Sequence, residues 1–152
     1  MKRSLALLCL LSATAIAIAA PRPEQQHLIG KWVHKRLEQR SNGKVVSSVE
    51  AHGDSSLEFK KDGTWQMTSP SATNGGTYFW TNRQEIDTTT KTSSLAAQIG
   101  WHSVKQIKID GKTLTMTTKY DNVAVGEKSQ GASSTPPMNV ISVFEREAAP
   151  KP

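Results

Sequence analysis

Short segments in which apolar and polar residues alternate recur along this chain of 152 residues. The clearest two are Ser56–Phe59 and Thr64–Met67, which flank the turn Lys60–Gly63. A period of two is that of a β-strand with one buried face, and the Asp-Gly pair in the turn is typical of a β-hairpin. The inward positions of this hairpin are predicted to be Leu57, Phe59, Trp65 and Met67.

The same pattern predicts strands and tight turns over most of the remaining chain. Asn42-Gly43 and Asp110-Gly111 indicate further hairpins, whereas Asn74-Gly75-Gly76 is predicted to close a loop. No strand–helix–strand spacing appears, so the fold class is all-β. Eight to nine strands are predicted to form a single antiparallel up-and-down barrel, which hides its edges by closing, with an open Greek-key sandwich as the alternative. The further strands are predicted at about Leu28–Leu37, Lys44–Ala51, Thr77–Thr81, Gln84–Thr90, Val104–Ile109, Lys112–Lys119 and Asn139–Glu147.

Three features depart from regular strands. Residues 93–100 combine a Ser cap, an Ala-rich centre and a Gly stop, which predict one short helical segment. Ile107 and Ile109 alternate in phase with each other but not with Val104, which predicts a bulge or bend there. The Gly-, Ser- and Pro-rich stretch 121–137 predicts a long mobile loop.

The N-terminal segment differs in kind from the rest of the chain. Lys2 and Arg3 precede an uncharged apolar run, and Ala17-Ile18-Ala19 offers a small-x-small cleavage pattern. We therefore predict a cleaved signal peptide at 1–19, with a retained membrane anchor as the less favoured alternative. A lead-in at 20–27, a lipocalin-like barrel at 28–147 and a tail at 148–152 would follow. The mature chain is then expected to be periplasmic or secreted, with no membrane anchor and no cysteine, because Cys9 leaves with the signal.

The charge balance narrows the range of partners. The formal net charge is +6, from 19 Lys and Arg and 13 Asp and Glu, and loss of Lys2 and Arg3 with the signal leaves +4. The basic residues, Lys105 among them, are scattered and form no block, which argues against nucleic-acid binding. We interpret them as the solvated outer faces of strands.

Two motifs carry a resemblance to a known family. Gly30-x-Trp32 at the start of the first strand resembles the signature of the lipocalin and calycin group, and Arg146 in the last strand resembles the residue that packs across that tryptophan. The segments Phe59-x-x-Asp62-Gly63-Thr64-Trp65 and Gly76-Thr77-Tyr78 are similar to those of short bacterial exported lipocalin-like domains. The resemblance implies a structural role in barrel closure for Gly30, Trp32 and Arg146. On physical grounds, an indole can fill a barrel end, and a guanidinium stacked on it contributes about 0.5–2 kcal/mol.

Candidate chemistry is sparse. None of the four histidines has a partner at a metal-ligand spacing. His34 alternates with Trp32 and could face the lumen, but a solvated strand face is the favoured interpretation. Glu85 and Asp87 share one face of a strand, which we also expect to be solvated rather than an acid–base pair. We predict no catalytic residues, no metal, no cofactor and no enzymatic activity.

The aromatic residues are the remaining signal. In a small barrel they either fill the interior or line an apolar cavity with a few polar groups, and the filled core is somewhat favoured. The Thr-rich strands Gln84–Thr90 and Lys112–Thr118 would supply polar lumen positions. The tentative ligand-binding residues are Trp65, Tyr78, Trp80, Trp101 and Met116.

Two functional hypotheses follow from these features. The first is a monomeric exported barrel that binds a small apolar or amphipathic molecule without transforming it, at the end opposite Trp32. The second is a protein-interaction module, because small exported barrels that open with a Gly-x-Trp strand also resemble periplasmic protease inhibitors. In those inhibitors the segment ahead of the barrel, here about Ala20–His27, enters the protease cleft.

Overall fold

The structure is a computed structural model that describes residues 23–119, 124–125 and 138–148. The predicted signal peptide at 1–19, nearly all of the predicted loop at 121–137 and most of the tail lie outside these residues. In chain order the elements are α1 (Pro23–Leu28), β1 (Gly30–Ser41), β2 (Lys44–Glu50), β3 (Ser56–Phe59), β4 (Thr64–Thr68), β5 (Thr73–Asn82), β6 (Glu85–Ser93), the 3₁₀ turn η1 (Ala96–Gln98), β7 (Trp101–Asp110), β8 (Thr113–Lys119), β9 (Ala124–Val125) and β10 (Met138–Arg146).

The sheet closes on itself. From β3 to β8 each strand pairs antiparallel with the next, β8 pairs with β10, and β10 pairs with β1. The first part of β1 completes the ring by pairing with β3. These eight strands form a closed antiparallel barrel, with β2 as an additional strand beside β1. The predicted all-β up-and-down barrel is therefore confirmed, and the Greek-key sandwich is wrong.

The two ends of the barrel differ. We call the end that carries α1 and the β3–β4, β5–β6 and β7–β8 turns the closed end, and the end that carries the β1–β2 turn and η1 the mouth. The apolar core lies inside the barrel, and each fully buried side chain of this size contributes about 1.5–3 kcal/mol. Its members are Leu28, Trp32, Leu57, Phe59, Ile86, Ile107, Leu114, Met116 and Phe144.

β1 continues past its pairing with β3 into a second pairing with β2. Val45, Val46 and Val49 of β2 are each more than half exposed, and within the described residues β2 pairs only with β1. The register shifts by one residue opposite Gln39 and Arg40, which places a bulge in β2. A bulge and terminal charges both discourage edge-to-edge pairing, so this edge is partly protected.

The predicted loop closure at Asn74–Gly76 is wrong, because these residues lie inside β5. A Cβ added to Gly76 would lie 1.8 Å from the carbonyl oxygen of Thr89, so only glycine allows β5 and β6 to approach this closely. The register of the two strands shifts between Gly75 and Gly76. The glycines therefore mark a register shift at which two paired strands approach closely, and this has the same sequence signal as a turn.

The helical segment predicted at 93–100 is a single 3₁₀ turn, and none of its residues is buried. The Ser93 hydroxyl accepts a hydrogen bond from the Leu95 backbone N–H at 2.9 Å, so serine does organise the start of the turn. Three residues bury too little surface to extend into an α-helix.

β7 is regular where a bulge was predicted. Its pairing with β8 runs without a register shift from Lys105 opposite Thr118 to Asp110 opposite Thr113. Because Ile107 is buried in the core and strand side chains alternate, Lys105 faces inward and Val104 outward. Of the predicted bulge or bend, the bulge is wrong. Val104 breaks the phase of the apolar residues because Lys105, and not an apolar residue, occupies the inward position before Ile107.

Candidate functional site

The closed end packs around Trp32. Its indole is fully buried, and its Nε1–H donates a hydrogen bond to the Leu28 carbonyl oxygen at 2.8 Å. The guanidinium carbon of Arg146 lies 4.2 Å from the centre of the Trp32 ring. Arg146 also donates hydrogen bonds to the carbonyl oxygens of Ile29 and His27, so one side chain ties β10 to the end of α1.

Gly30 makes this arrangement sterically accessible. Its φ angle is +128°, in a region that favours glycine, and a Cβ there would lie 2.8 Å from Arg146 Nη1. The chain therefore turns from α1 into β1 directly beneath the guanidinium. Gly30, Trp32 and Arg146 therefore pack together at the closed end.

The half of the lumen next to the closed end holds the apolar core, and pockets of about 440 and 670 Å³ beside α1 are both lined in part by Trp80. Met116 belongs to the buried core, and Tyr78 and Trp80 pack against it. The Tyr78 ring meets Phe59 edge to face, with centroids 5.0 Å apart, and its hydroxyl donates to the Lys60 carbonyl oxygen at 2.8 Å. Burial raises the pKa of Tyr78, so this hydroxyl stays protonated at neutral pH. Four of the five tentative ligand-binding residues, with Trp65 as the fourth, thus lie in or against the packed core.

The half of the lumen next to the mouth contains a cavity of about 280 Å³. Trp65 and Trp101 line it, so the structure brings these two candidate residues together in one site and separates them from Tyr78, Trp80 and Met116. Trp101 is 37% exposed, which places it where the cavity meets solvent. The hydroxyl-bearing residues of the cavity wall are Thr88, Thr90, Ser103, Thr118 and Ser142.

Thr88, Thr90 and Thr118 occupy polar lumen positions that were predicted for the two Thr-rich strands, whereas Ser103 and Ser142 lie on β7 and β10. Thr88 is 5% exposed, and its hydroxyl donates to the Ser103 carbonyl oxygen at 2.9 Å, with the Ser103 hydroxyl at 3.1 Å. The interior of the barrel therefore changes from apolar to polar along its length. Filled core and cavity are both present, at different depths.

Lys105 also lines the cavity, and sequence reasoning assigned it to an outer face. It is the next inward residue of β7 from Ile107 towards the mouth, and its ammonium donates a hydrogen bond to Thr118 Oγ1 at 3.2 Å. Burial lowers the pKa of Lys105 to about 8, because the desolvated ammonium is disfavoured. Among the described residues that line the cavity, none carries a carboxylate. The sequence did contain a signal for this position: Lys105 shares the alternate positions of β7 with Ile107 and Ile109, which predicts an inward side chain.

His34 is a further polar group on the inner face. Its ring lies 4.9 Å from the ring of Phe144, the core residue opposite it on β10. Its Nε2 is buried without a hydrogen-bond partner in the described part of the chain. Burial lowers the pKa of His34, more than a backbone contact at Arg36 raises it. The favoured prediction of a solvated strand face is therefore wrong, and the inward alternative holds.

Asp87 is likewise not solvated as predicted. It is 8% exposed, and its Oδ1 lies 2.9 Å from Nε2 of His102 on the neighbouring strand. Asp87 pairs in register with Phe79 and Val104 on the outer side of the barrel, opposite in direction to Ile86. This carboxylate therefore lies beside His102 on the outer side of the barrel and does not line the cavity.

Beyond the bulge at Lys35, β1 carries a buried carboxylate of its own. Glu38 is 8% exposed, with Arg36 Nε 3.0 Å from one carboxylate oxygen and Arg40 Nη2 2.8 Å from the other. The register shift between His34 and Arg36 places this triad on the face of β1 opposite to His34. The triad braces the extension of β1 and does not line the cavity.

The described residues hold no group of three or more His, Cys, Asp or Glu side chains arranged to bind a metal ion. Neither helix among them has the length and apolar content needed to cross a bilayer. The fold defines a small closed eight-strand antiparallel barrel with an Arg146–Trp32 stack at one end and a cavity at the other. No protein-family model matches the chain, and no curated protein matches its sequence.

Proposed function

We propose that the chain is an exported, lipocalin-like binding protein that holds a small apolar or amphipathic molecule in the mouth half of its lumen. The single observation that carries this proposal is the cavity of about 280 Å³ above the packed core. Its volume lies just below the range of about 300–1,000 Å³ that is typical of small-molecule pockets, so it suits only a small ligand. The Gly30-x-Trp32 and Arg146 resemblance adds support for the lipocalin-like assignment.

The composition of the cavity wall favours an amphipathic ligand. Two indoles offer flat apolar surface at low entropic cost, and hydroxyls supply a small number of orienting hydrogen bonds. Exposed apolar residues lie beside the opening: Leu95 and Ile99 are each more than half exposed in the η1 segment that leads into Trp101. An apolar molecule could contact these residues before it enters.

The alternative of a protein-interaction module places the lead-in at 20–27 in a partner's cleft. The described part of that segment is α1, and the carbonyl oxygens of His27 and Leu28 accept hydrogen bonds from Arg146 and Trp32. No contact in the described residues favours this alternative, and it stays a prediction.

The proposal is tested with protein purified from its own host, by native mass spectrometry and by tryptophan fluorescence. We expect a co-purified small molecule, and quenching of Trp65 and Trp101 when a small amphipathic probe such as octanoate is added. Ser103→Phe would fill the cavity and should abolish binding, whereas Gln106→Phe on the exposed face of the same strand should not. A wild-type protein that carries no ligand and binds no probe would exclude the proposal.

A further inference from the structure

A cationic group deep in the cavity has no anionic partner. Lys105 faces the lumen between Ile86 on β6 and Thr118 on β8, directly above the apolar layer formed by Ile107 and Met116. An ammonium group has three N–H donors, and in the described residues it donates only to Thr118 Oγ1. Two donors therefore remain for a group inside the cavity.

The side chains around Lys105 determine which ligand group its ammonium would bind. The other described polar side chains on the cavity wall are neutral hydroxyls and amides, apart from His102, whose Nε2 lies 2.9 Å from Asp87. A cation held without a counter-charge at low dielectric favours an incoming anion much more than a neutral molecule. The lowered pKa of Lys105, caused by burial, reflects the same missing counter-charge.

The direction of the cavity sets how such a ligand would lie. Lys105 and Trp101 are four residues apart on β7, which corresponds to about 13 Å along the strand. Trp101 lies at the mouth and Lys105 at the floor of the cavity. The cavity wall therefore changes from a cationic group at the floor to an indole at the mouth. A molecule with one charged end and one apolar end matches this order only if the charged end enters first.

We infer that the ligand is a small amphipathic monoanion whose acid group pairs with the Lys105 ammonium at the cavity floor and whose apolar part lies between Trp65 and Trp101. This inference rests on the proposed function and specifies its ligand class. A single ammonium does not distinguish a carboxylate from a sulfate ester, because it acts as a point charge. Either acid would satisfy the inference.

Three probes of equal chain length separate the charge from the apolar part: octanoate, octyl sulfate and 1-octanol. Binding is measured by isothermal titration calorimetry below the concentration at which the probes aggregate. A hydrogen-bonded ion pair contributes about 1.5–3 kcal/mol, so at least one of the two acids should bind about 10- to 100-fold more tightly than 1-octanol.

Two substitutions on the same strand provide the matched comparison. Lys105→Met should weaken binding of the acid by about 10- to 100-fold and leave 1-octanol affinity within about twofold. Lys108→Met removes an equal charge from an exposed position on the outer face and should change neither affinity. Lys105→Gln, which keeps a polar chain of similar length, gives a second neutral variant if the methionine variant does not fold.

The outcomes separate this inference from the proposed function. Equal binding of all three probes, abolished by Ser103→Phe but not by Lys105→Met, would overturn the anionic head group and leave a lumen binder. Absence of binding by every probe would overturn both. Preferential binding of either acid that depends on Lys105 and not on Lys108 supports the inference.

Discussion

Replacing Lys105 with methionine should stabilise the protein at neutral pH. One pKa unit corresponds to about 1.4 kcal/mol, and the usual lysine pKa is about 10.4. A folded-state pKa of about 8 therefore implies that the charged ammonium costs the folded protein about 3 kcal/mol at pH 7. Because the side chain retains some contact with water in the lumen, screening reduces the expected gain from Lys105→Met to about 1–3 kcal/mol.

The pH dependence of this gain identifies its cause. Between pH 8 and about 10.4 the unfolded chain holds a proton on Lys105 that the folded protein has lost, so the stability of the wild type rises with pH in this window. Below pH 8 both states are protonated and the cost is constant. The stability difference between Lys105→Met and wild type should therefore be largest at pH 6–8 and should shrink as the pH rises to about 10.4.

Urea unfolding followed by tryptophan fluorescence at pH 6, 7, 8, 9 and 10 measures this difference. Other titrating groups contribute equally to both proteins and cancel when the two curves are subtracted. Lys108→Met, at an exposed position, should stay within about 0.5 kcal/mol of wild type throughout. A Lys105→Met protein that is less stable than wild type at pH 7, or a gap that does not narrow above pH 8, would refute the inward, desolvated lysine.

Three further changes probe the barrel itself. Arg146→Met should destabilise the protein by about 2–4 kcal/mol, because it removes the stack on Trp32 and two hydrogen bonds to backbone carbonyls; a change below about 0.5 kcal/mol in urea unfolding would contradict this. Gly76→Ala should cost more than about 3 kcal/mol or prevent folding, whereas the same change at Gly43, where the added Cβ meets no atom within 4 Å, should cost less, as measured by thermal unfolding monitored by circular dichroism. The folded-state pKa of His34 lies below its usual value, so the stability of the wild type should fall as the pH drops below about 6.5. His34→Phe should flatten that fall in urea unfolding at pH 5–7. An unchanged pH profile would disprove the burial of this imidazole.

The barrel was predictable from sequence because alternation and turn residues agree along most of the chain. Leu57 and Phe59 alternate with polar neighbours on one side of an Asp-Gly turn, and both are buried as expected. The loop closure that was predicted at Gly75-Gly76 was wrong for a physical reason. Gly75-Gly76 has the composition of a turn, but its function is to let two backbones approach, and sequence does not distinguish the two uses of glycine. Only the register of β5 against β6 reveals the difference.

The candidate site was harder to predict because its residues break the rule that polar side chains face outward. Lys105, His34 and Asp87 were all interpreted as solvated, and none of them is. Lys105 lies two residues before the buried Ile107, so strand alternation alone predicts that it faces inward. The interpretation as an outer residue followed from its charge instead. For His34 and Asp87 the partners lie on other strands, Phe144 and His102, and no local pattern connects them.

Position 105 determines where the core ends and the cavity begins. Ile109 and Ile107 continue the apolar core up the inner face of β7, and an isoleucine at the next inward position would extend it by one more layer towards the mouth. A lysine there cannot pack without leaving its charge unpaired, so the apolar layer stops and the hydroxyls of Thr88 and Thr118 take over. A barrel with no ligand would gain stability from the apolar residue. Under the proposed binding of an anion, the lysine's stability cost and the selectivity for acids should disappear together in Lys105→Met.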